Sequence, residues 1–392
     1  MNSEEIRKEF EVLSDIKDAR KFFPMAESCV YLDSAHYGPY SLETNRRLTE
    51  YINKFTYTND NLSDFNNRMK DRIRELAAKL INADEKEIII TGCTTHGLNI
   101  FANGINPGKG DCVAYADSEF PAIVYAWMNQ EKLRGIKNIK IPSVNGKIKT
   151  EDIETVLKRG DVRVLTISSV EFLGFRNDLY EIKKLCKEHG TYLVVDAIQS
   201  TGIVPMDVKS LDPDFVATGS QKWMMSPAGI GFSYIPQRMR NVIHPTYAAT
   251  TSVNYRFENF LDYKLDFRDD GAAYENSTPN TLGMIGLESS LELFLKLGVD
   301  NIFNHIKKLH DLFADGLNEN YTIESDRSEK HRSNIVIFSY KDNTKNAAVH
   351  SALEKENIFI ALREGFLRIS PHLFNNEEDV NKLLAALERI NP

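Results

Sequence analysis

The chain has 392 residues, 42% of them hydrophobic and 27% charged, with a formal net charge of −8 at pH 7. That length asks for two cores, or one large core with a smaller one attached. The acidic balance, without a long run of Lys and Arg, argues against nucleic acid and anionic membranes as partners, and no stretch approaches the roughly 18 apolar residues of a membrane helix.

The start, MNSEEIRKEF, is charged and has no apolar core of signal-peptide length. Four cysteines, Cys29, Cys93, Cys112 and Cys186, are scattered without CxxC or Cys/His spacing. A cytoplasmic protein with reduced, mainly structural thiols and no metal site is the expectation.

A helical N-terminal segment leads to VYLDSAHYGPYS at 30–41. From about Asp64 onward, short β-branched runs alternate with amphipathic helical stretches, which predicts a parallel sheet covered by helices. The strands read as EIIIT (87–91), CVAYA (112–116), IKIP (139–142), VRVLTIS (162–168), YLVVD (192–196), FVATG (215–219) and IGFSYI (230–235). Pro227 and Gly229 lie in a link too short for a helical crossover, so at least one strand there runs antiparallel. In such α/β sheets the ligand sits at the carboxyl ends of the parallel strands.

After about residue 265 the texture changes. The loop GAAYENSTPN precedes a long helical region, then short strands (NIVIFSY, IFIAL, FLRIS) and a last helix, EEDVNKLLAALERI. The expected division is a segment 1–40 packing with the small domain, a large domain 41–285 with a mostly parallel seven-stranded sheet, and a small α/β domain 286–392 with an antiparallel sheet.

Several residues at the expected ligand edge admit both a structural and a chemical reading. Lys222, in GSQKWMMSPAGIGF, is a solvated surface lysine or, among its apolar neighbours, an amine whose lowered pKa makes it a Schiff-base nucleophile for a carbonyl cofactor. Asp196, at the end of YLVVD, caps a turn or holds a proton on a heterocyclic nitrogen, the service a protein gives pyridoxal phosphate. Gln199 then reaches the ring's phenolic oxygen. In IIITGCTTHGLN a strand, Gly92 and two hydroxyl residues, Thr94 and Thr95, open a helix, either as an ordinary cap or as a phosphate site. Phe120, in DSEFPAIVYAW, is a core aromatic or lies against a flat ring, and Glu171, in SSVEFLGFRNDL, contacts the cofactor or is a loop charge.

Together these motifs resemble the class V aminotransferase family, pyridoxal-phosphate enzymes of fold type I that include cysteine desulfurases, selenocysteine lyases and isopenicillin N epimerase-like proteins. The resemblance runs from VYLDSAHYGPYS to RISPHLFNNEEDV (368–380), and VVDAIQS followed by GSQKWMMSPAGIGF is its most specific part. It implies that Lys222 binds the cofactor and acts as catalytic base, that Asp196 partners the pyridine nitrogen, and that Gln199 contacts the phenolic oxygen. Thr94, Thr95, Ser220 and Gln221 match the phosphate cradle. Thr278, in NSTPN, matches a residue that reaches the phosphate of the neighbouring subunit, which implies a homodimer.

Phe120 matches the ring-stacking position, usually histidine in the desulfurases, and Glu171 stands where Asn or Gln is common. Both are departures, and Glu171 needs a proton or a cation to sit beside an anionic oxygen. Arg368 matches the arginine that grips the substrate carboxylate, a bidentate pairing that the guanidinium suits; read alone it is as well a structural ion pair. Arg363 adds a second anion contact or faces solvent, and His36 lines the substrate pocket or is solvated. A desulfurase also needs a thiolate on a loop of its C-terminal domain, and no cysteine follows Cys186. The expected activity is therefore transamination of a small amino acid or related amine, with β-elimination (C–S or other) or epimerisation as alternatives and a cofactor-free scaffold as a remote one.

Overall fold

Helices cover both faces of a seven-stranded sheet whose order is Ile88–Thr91, Gly231–Tyr234, Phe215–Gly219, Tyr192–Asp196, Val162–Ser168, Cys112–Ala116, Lys137–Ile141. The computed structural model describes residues 1–254 and 261–392. Gly231–Tyr234 runs antiparallel to both its neighbours, and the other pairs are parallel. The strands Ile88–Thr91, Cys112–Ala116 and Phe215–Gly219 are buried at every position. That is why they read as unbroken apolar runs rather than as alternating ones.

Local signals set the helix ends. The helix Leu179–Glu188 starts on Asp178, whose carboxylate accepts the Glu181 N–H, and it buries Leu179, Ile182, Leu185 and Cys186 along one stripe. The helix Pro121–Arg134 begins with proline directly after Phe120 and stops at Gly135 in the left-handed region. Chain order along the sheet reverses between Cys112–Ala116 and Val162–Ser168, because the strand between them in sequence, Lys137–Ile141, lies outside on the edge. A reversal of this kind opens a crevice at the strands' carboxyl ends.

A second, four-stranded antiparallel sheet has the order Tyr321–Ile323, Val336–Tyr340, Phe366–Ile369, Ala361–Arg363. The run IFIAL, read from sequence as one strand, divides between two sheets: Ile358–Phe359 pairs in parallel with Val30–Tyr31, and Ala361–Arg363 joins the four-stranded sheet. Arg20 adds a two-pronged bond to Asp379, at 2.7 and 3.1 Å, that clasps the N-terminal segment to the last helix, Glu377–Arg389.

The long helical region is two helices, Thr281–Leu297 and Val299–Gly316, parted at Gly298 with φ 78°. Residue 285, the expected domain boundary, falls inside Thr281–Leu297, which packs on Leu42–Tyr57 and Leu62–Ile81. Among the described residues no helix is long and apolar enough to cross a membrane.

Candidate active site

Lys222 sits on a tight loop that leaves the strand Phe215–Gly219. Ser220 is fully buried; its N–H donates to the Ile230 carbonyl at 3.1 Å and its hydroxyl to the carbonyls of Pro227 and Ile230, both at 2.9 Å. The Met225 N–H donates to the Lys222 carbonyl at 3.0 Å, and Met225 itself adopts φ 46°. Gly38 packs directly on this loop, donating to the Gln221 carbonyl at 2.9 Å; a Cβ there would lie 2.3 Å from the Lys222 carbonyl oxygen. The N-terminal motif DSAHYGPY therefore needs glycine at 38 to reach the lysine loop.

The Lys222 amine lies 5.3 Å from the centroid of the Phe120 ring and interacts electrostatically with Asp196. Burial lowers its pKa to about 8 against the pull of Asp196, with Arg368 and Arg363 reinforcing the fall. Asp196, 2% exposed, ends its strand in register with Ser168 and Ala217 and accepts the Ile198 N–H at 2.9 Å. Burial raises its carboxyl to about 6, and the Ile198 N–H and Lys222 limit the rise. At neutral pH about a tenth of this amine is thus free base, against far less for an ordinary lysine, and Asp196, whose charge it feels, is largely ionised.

Near the same edge, the helix Thr94–Gly104 begins at Cys93 without a side-chain cap. Its first N–H groups and its dipole favour an anion. The buried Thr94 Oγ1 has no partner among the described residues, and neither has the buried Oε1 of Gln221. Thr95 is exposed on the outer side of that turn. His96 Nδ1 accepts the Gly92 N–H at 3.1 Å, which leaves the hydrogen on Nε2, buried and unpartnered. An orphaned hydroxyl beside uncapped amides fits the phosphate of a cofactor whose aldehyde end reaches Lys222.

Gln199 is held by both ends of its amide: the Trp223 indole donates to Oε1 at 2.7 Å, and Nε2 donates to the Ala35 carbonyl at 3.2 Å. Among the described residues the second amide hydrogen meets no acceptor. Phe120 is 46% exposed, with its ring 6.2 Å from that of Phe172. Glu171 is buried, accepting the Asn177 amide at 2.8 Å, and beside it lies a second buried carboxyl, Glu119. Sequence reading passed over Glu119, although its place just beyond the strand Cys112–Ala116 was a signal.

Of the residues expected at the substrate end, Arg368 is 2% exposed and already engaged: Nη2 donates to Asp33 Oδ1 at 3.1 Å and Nη1 to the Phe172 carbonyl at 3.0 Å. Among the described residues its buried Nε has no partner. Asp33, the second residue missed, also stands 3.5 Å from the exposed His36 imidazole. Arg363 is partly exposed and bonds only its neighbour's carbonyl, Leu362 O, at 3.0 Å among the hydrogen bonds of the described residues. Thr278 is exposed on the loop before Thr281–Leu297.

This architecture, with its one antiparallel strand and a lysine loop just before it, is that of fold type I pyridoxal-phosphate enzymes. The chain belongs to the class-V aminotransferase family, whose model matches residues 30–383. Among curated relatives, a probable cysteine desulfurase of Pyrococcus abyssi is 27% identical, covering 95% of this chain and 97% of that protein. An uncharacterized aminotransferase of Bacillus subtilis is 23% identical over 92% of this chain and 94% of its own length. Among solved structures, a lysine-to-alanine mutant of C-DES with glycine covalently linked to the PLP cofactor superposes with a TM-score of 0.87 at 22% identity, covering 95% and 99% of the two chains. A complex of the cystine C–S lyase C-DES with cysteine persulfide gives 0.86 at 22% identity, over 94% and 100%.

Proposed function

We propose that this chain is a pyridoxal-phosphate enzyme that transaminates a small amino acid or related amine. The observation that carries the reading is the surroundings of the Lys222 amine, which lies 5.3 Å from the centre of the Phe120 ring, feels the charge of Asp196 and is lowered to about 8 by burial. Bound pyridoxal phosphate supplies the aldehyde that lysine captures and an electron-withdrawing ring that acidifies the α-carbon of an amino substrate.

In this reading Asp196 keeps a proton on the ring nitrogen, Phe120 covers one ring face, and the free amide hydrogen of Gln199 meets the phenolic oxygen. Thr94 and the first N–H groups of its helix hold the phosphate, with Thr95, Ser220 and Gln221 around it and Thr278 reaching across to a second subunit. Ser220 offers lone pairs and its fixed backbone there, since its hydroxyl hydrogen is directed to carbonyls. The Lys222 amine, once free, takes the α-proton and returns it. Arg368, through Nε and by sharing its Nη2 with Asp33, holds the substrate carboxylate, with Arg363 and His36 at the mouth. A homodimer in the cytoplasm and a division at 1–40, 41–285 and 286–392 belong to the same reading, although a helix crosses the second boundary.

A second reading, C–S β-elimination, has one support: the close structural likeness to a cystine C–S lyase. Persulfide chemistry on a C-terminal loop lacks its thiol, because no cysteine follows Cys186. A panel of amino acids, with and without a keto acid, followed for keto product, ammonia and sulfide, separates the readings. Keto-acid-dependent turnover supports transamination, and sulfide without a keto acid supports the lyase. A protein that stays colourless with added pyridoxal phosphate sinks both.

A further inference from the structure

The crevice where the strand order reverses is flanked by Cys112–Ala116 and Val162–Ser168, and each strand is followed within three residues by a glutamate that the proposed chemistry does not use as an ion. Glu119 is 6% exposed and Glu171 1%. Two carboxylates buried side by side repel each other in a medium that screens poorly, so the arrangement needs a proton.

The hydrogen bonds say which carboxyl carries it. Glu119 accepts the Ser168 N–H at 2.8 Å on Oε1 and the Ser168 hydroxyl at 2.6 Å on Oε2. Both bonds favour its charged form. Glu171 accepts one amide hydrogen, from Asn177, on Oε1, and among the described residues no donor faces its Oε2. Ser168 links the two: its N–H and hydroxyl go to Glu119, and the Asn177 amide that donates to Glu171 also donates to the Ser168 carbonyl at 2.8 Å. Two ionised carboxylates cannot bond, whereas a protonated Oε2 of Glu171 donating to Glu119 satisfies the orphan and the acceptor at once.

We propose that Glu119 and Glu171 form a buried pair whose last shared proton resides on Glu171, and that the pair is a positioning unit that keeps Asp196 the principal ionised carboxylate at the cofactor edge. This rests on the reading of Lys222 and Asp196 as the cofactor site. Burial raises both glutamates, Glu119 to about 8 against the pull of its Ser168 bonds and of Glu171, while the charge of Glu119 pushes Glu171 further up. The charge on Asp196 raises them further, while Lys222 lies on the Asp196 side and Arg368 reaches the same loop through the Phe172 carbonyl. His331, stacked on Phe175, and Arg176, whose carbonyl meets the His331 ring, also lie at that loop. Were Glu171 ionised, a third negative charge would favour protonation of Asp196 and release its hold on a ring nitrogen.

The test has two arms. Infrared spectra of the apo-protein at pH 9, above the Glu119 value of about 8, should show the carbonyl stretch of a buried protonated carboxyl, lost in Glu171→Gln and retained, shifted, in Glu119→Gln. Absence of the band in the wild type, or its survival in Glu171→Gln, overturns the proposal; a pH titration of the wild-type band serves if a variant does not fold, and a band already gone at pH 6 also overturns it. In the reconstituted wild type, loss of the pair's proton at alkaline pH adds a negative charge that favours the protonated chromophore. Glu171→Gln should therefore lower the midpoint of the cofactor's pH-dependent colour change by about one unit, and an unchanged midpoint counts against the positioning role. Failure to take up cofactor with the infrared band intact would sink the site reading and leave the shared proton standing.

Discussion

Arg368 and Asp33 are ion-paired, Nη2 to Oδ1 at 3.1 Å, although 335 residues separate them in sequence. The pair joins the N-terminal loop to the small sheet and neutralises a guanidinium that is otherwise lowered by burial. On the proposed reading, a substrate carboxylate shares this cation with Asp33 or meets its Nε, which has no partner among the described residues. Arg368→Ala should reduce kcat/KM for amino acids by on the order of 2–5 kcal/mol of transition-state stabilisation. The corresponding amines without a carboxylate should lose far less. Equal losses for the two substrate sets in steady-state kinetics would show that the arginine only holds the fold.

The lysine assignment has a direct chemical check. Borohydride reduction of the reconstituted protein should fix one cofactor per chain, read as a mass increase of the intact protein, and Lys222→Ala should abolish it. Labelling that persists in the variant would mean that another lysine carries the cofactor.

Cofactor capture should follow the free amine. With Lys222 lowered to about 8, the rate of colour development in apo-protein should rise about tenfold per pH unit below that value and level off above it. An ordinary lysine would keep climbing towards pH 10.4. The sign for stability agrees: between about 8 and 10.5 the unfolded chain binds more protons at this group, so its contribution to stability rises with pH across that window. Stopped-flow absorbance across pH 6–10 measures the profile, and a monotonic rise throughout would contradict the buried amine.

Gly38→Ala should displace the loop that carries Lys222, because its Cβ would meet the Lys222 carbonyl oxygen at 2.3 Å and Met225 Cγ at 2.7 Å. We expect a loss of about 1–3 kcal/mol in denaturant unfolding together with slower cofactor capture. Gly108→Ala, where a new Cβ meets nothing within 4 Å, is the control and should leave the capture rate unchanged.

Much of the fold was legible because local chemistry writes it. Most strands of the large sheet are runs such as IIIT and YLVVD, whose largely apolar character follows from cover on both faces, whereas the edge strand Lys137–Ile141 is partly exposed. The antiparallel strand Gly231–Tyr234 was legible from a link too short to cross over. IFIAL was not, since nothing local tells one extended run to leave a pairing with Val30–Tyr31 and enter another sheet two residues later. The helix through residue 285 likewise reads as the start of a new texture, while its packing on two earlier helices is a long-range fact.

For the site, the sequence by itself determined the residue types and their order: a carboxylate ending one strand, a lysine after another, hydroxyls opening a helix. These are set by neighbours in the chain, where a strand end or a helix start has its own signature. Only the tertiary structure decided which charges meet. It brought Asp33 to Arg368 and Glu119 to Glu171, and so turned a lone arginine into a shared cation and a loop glutamate into a candidate proton holder. The reason is physical: a side chain's charge state depends on burial and on partners within a few ångströms, and those partners come from strands and loops far apart in sequence.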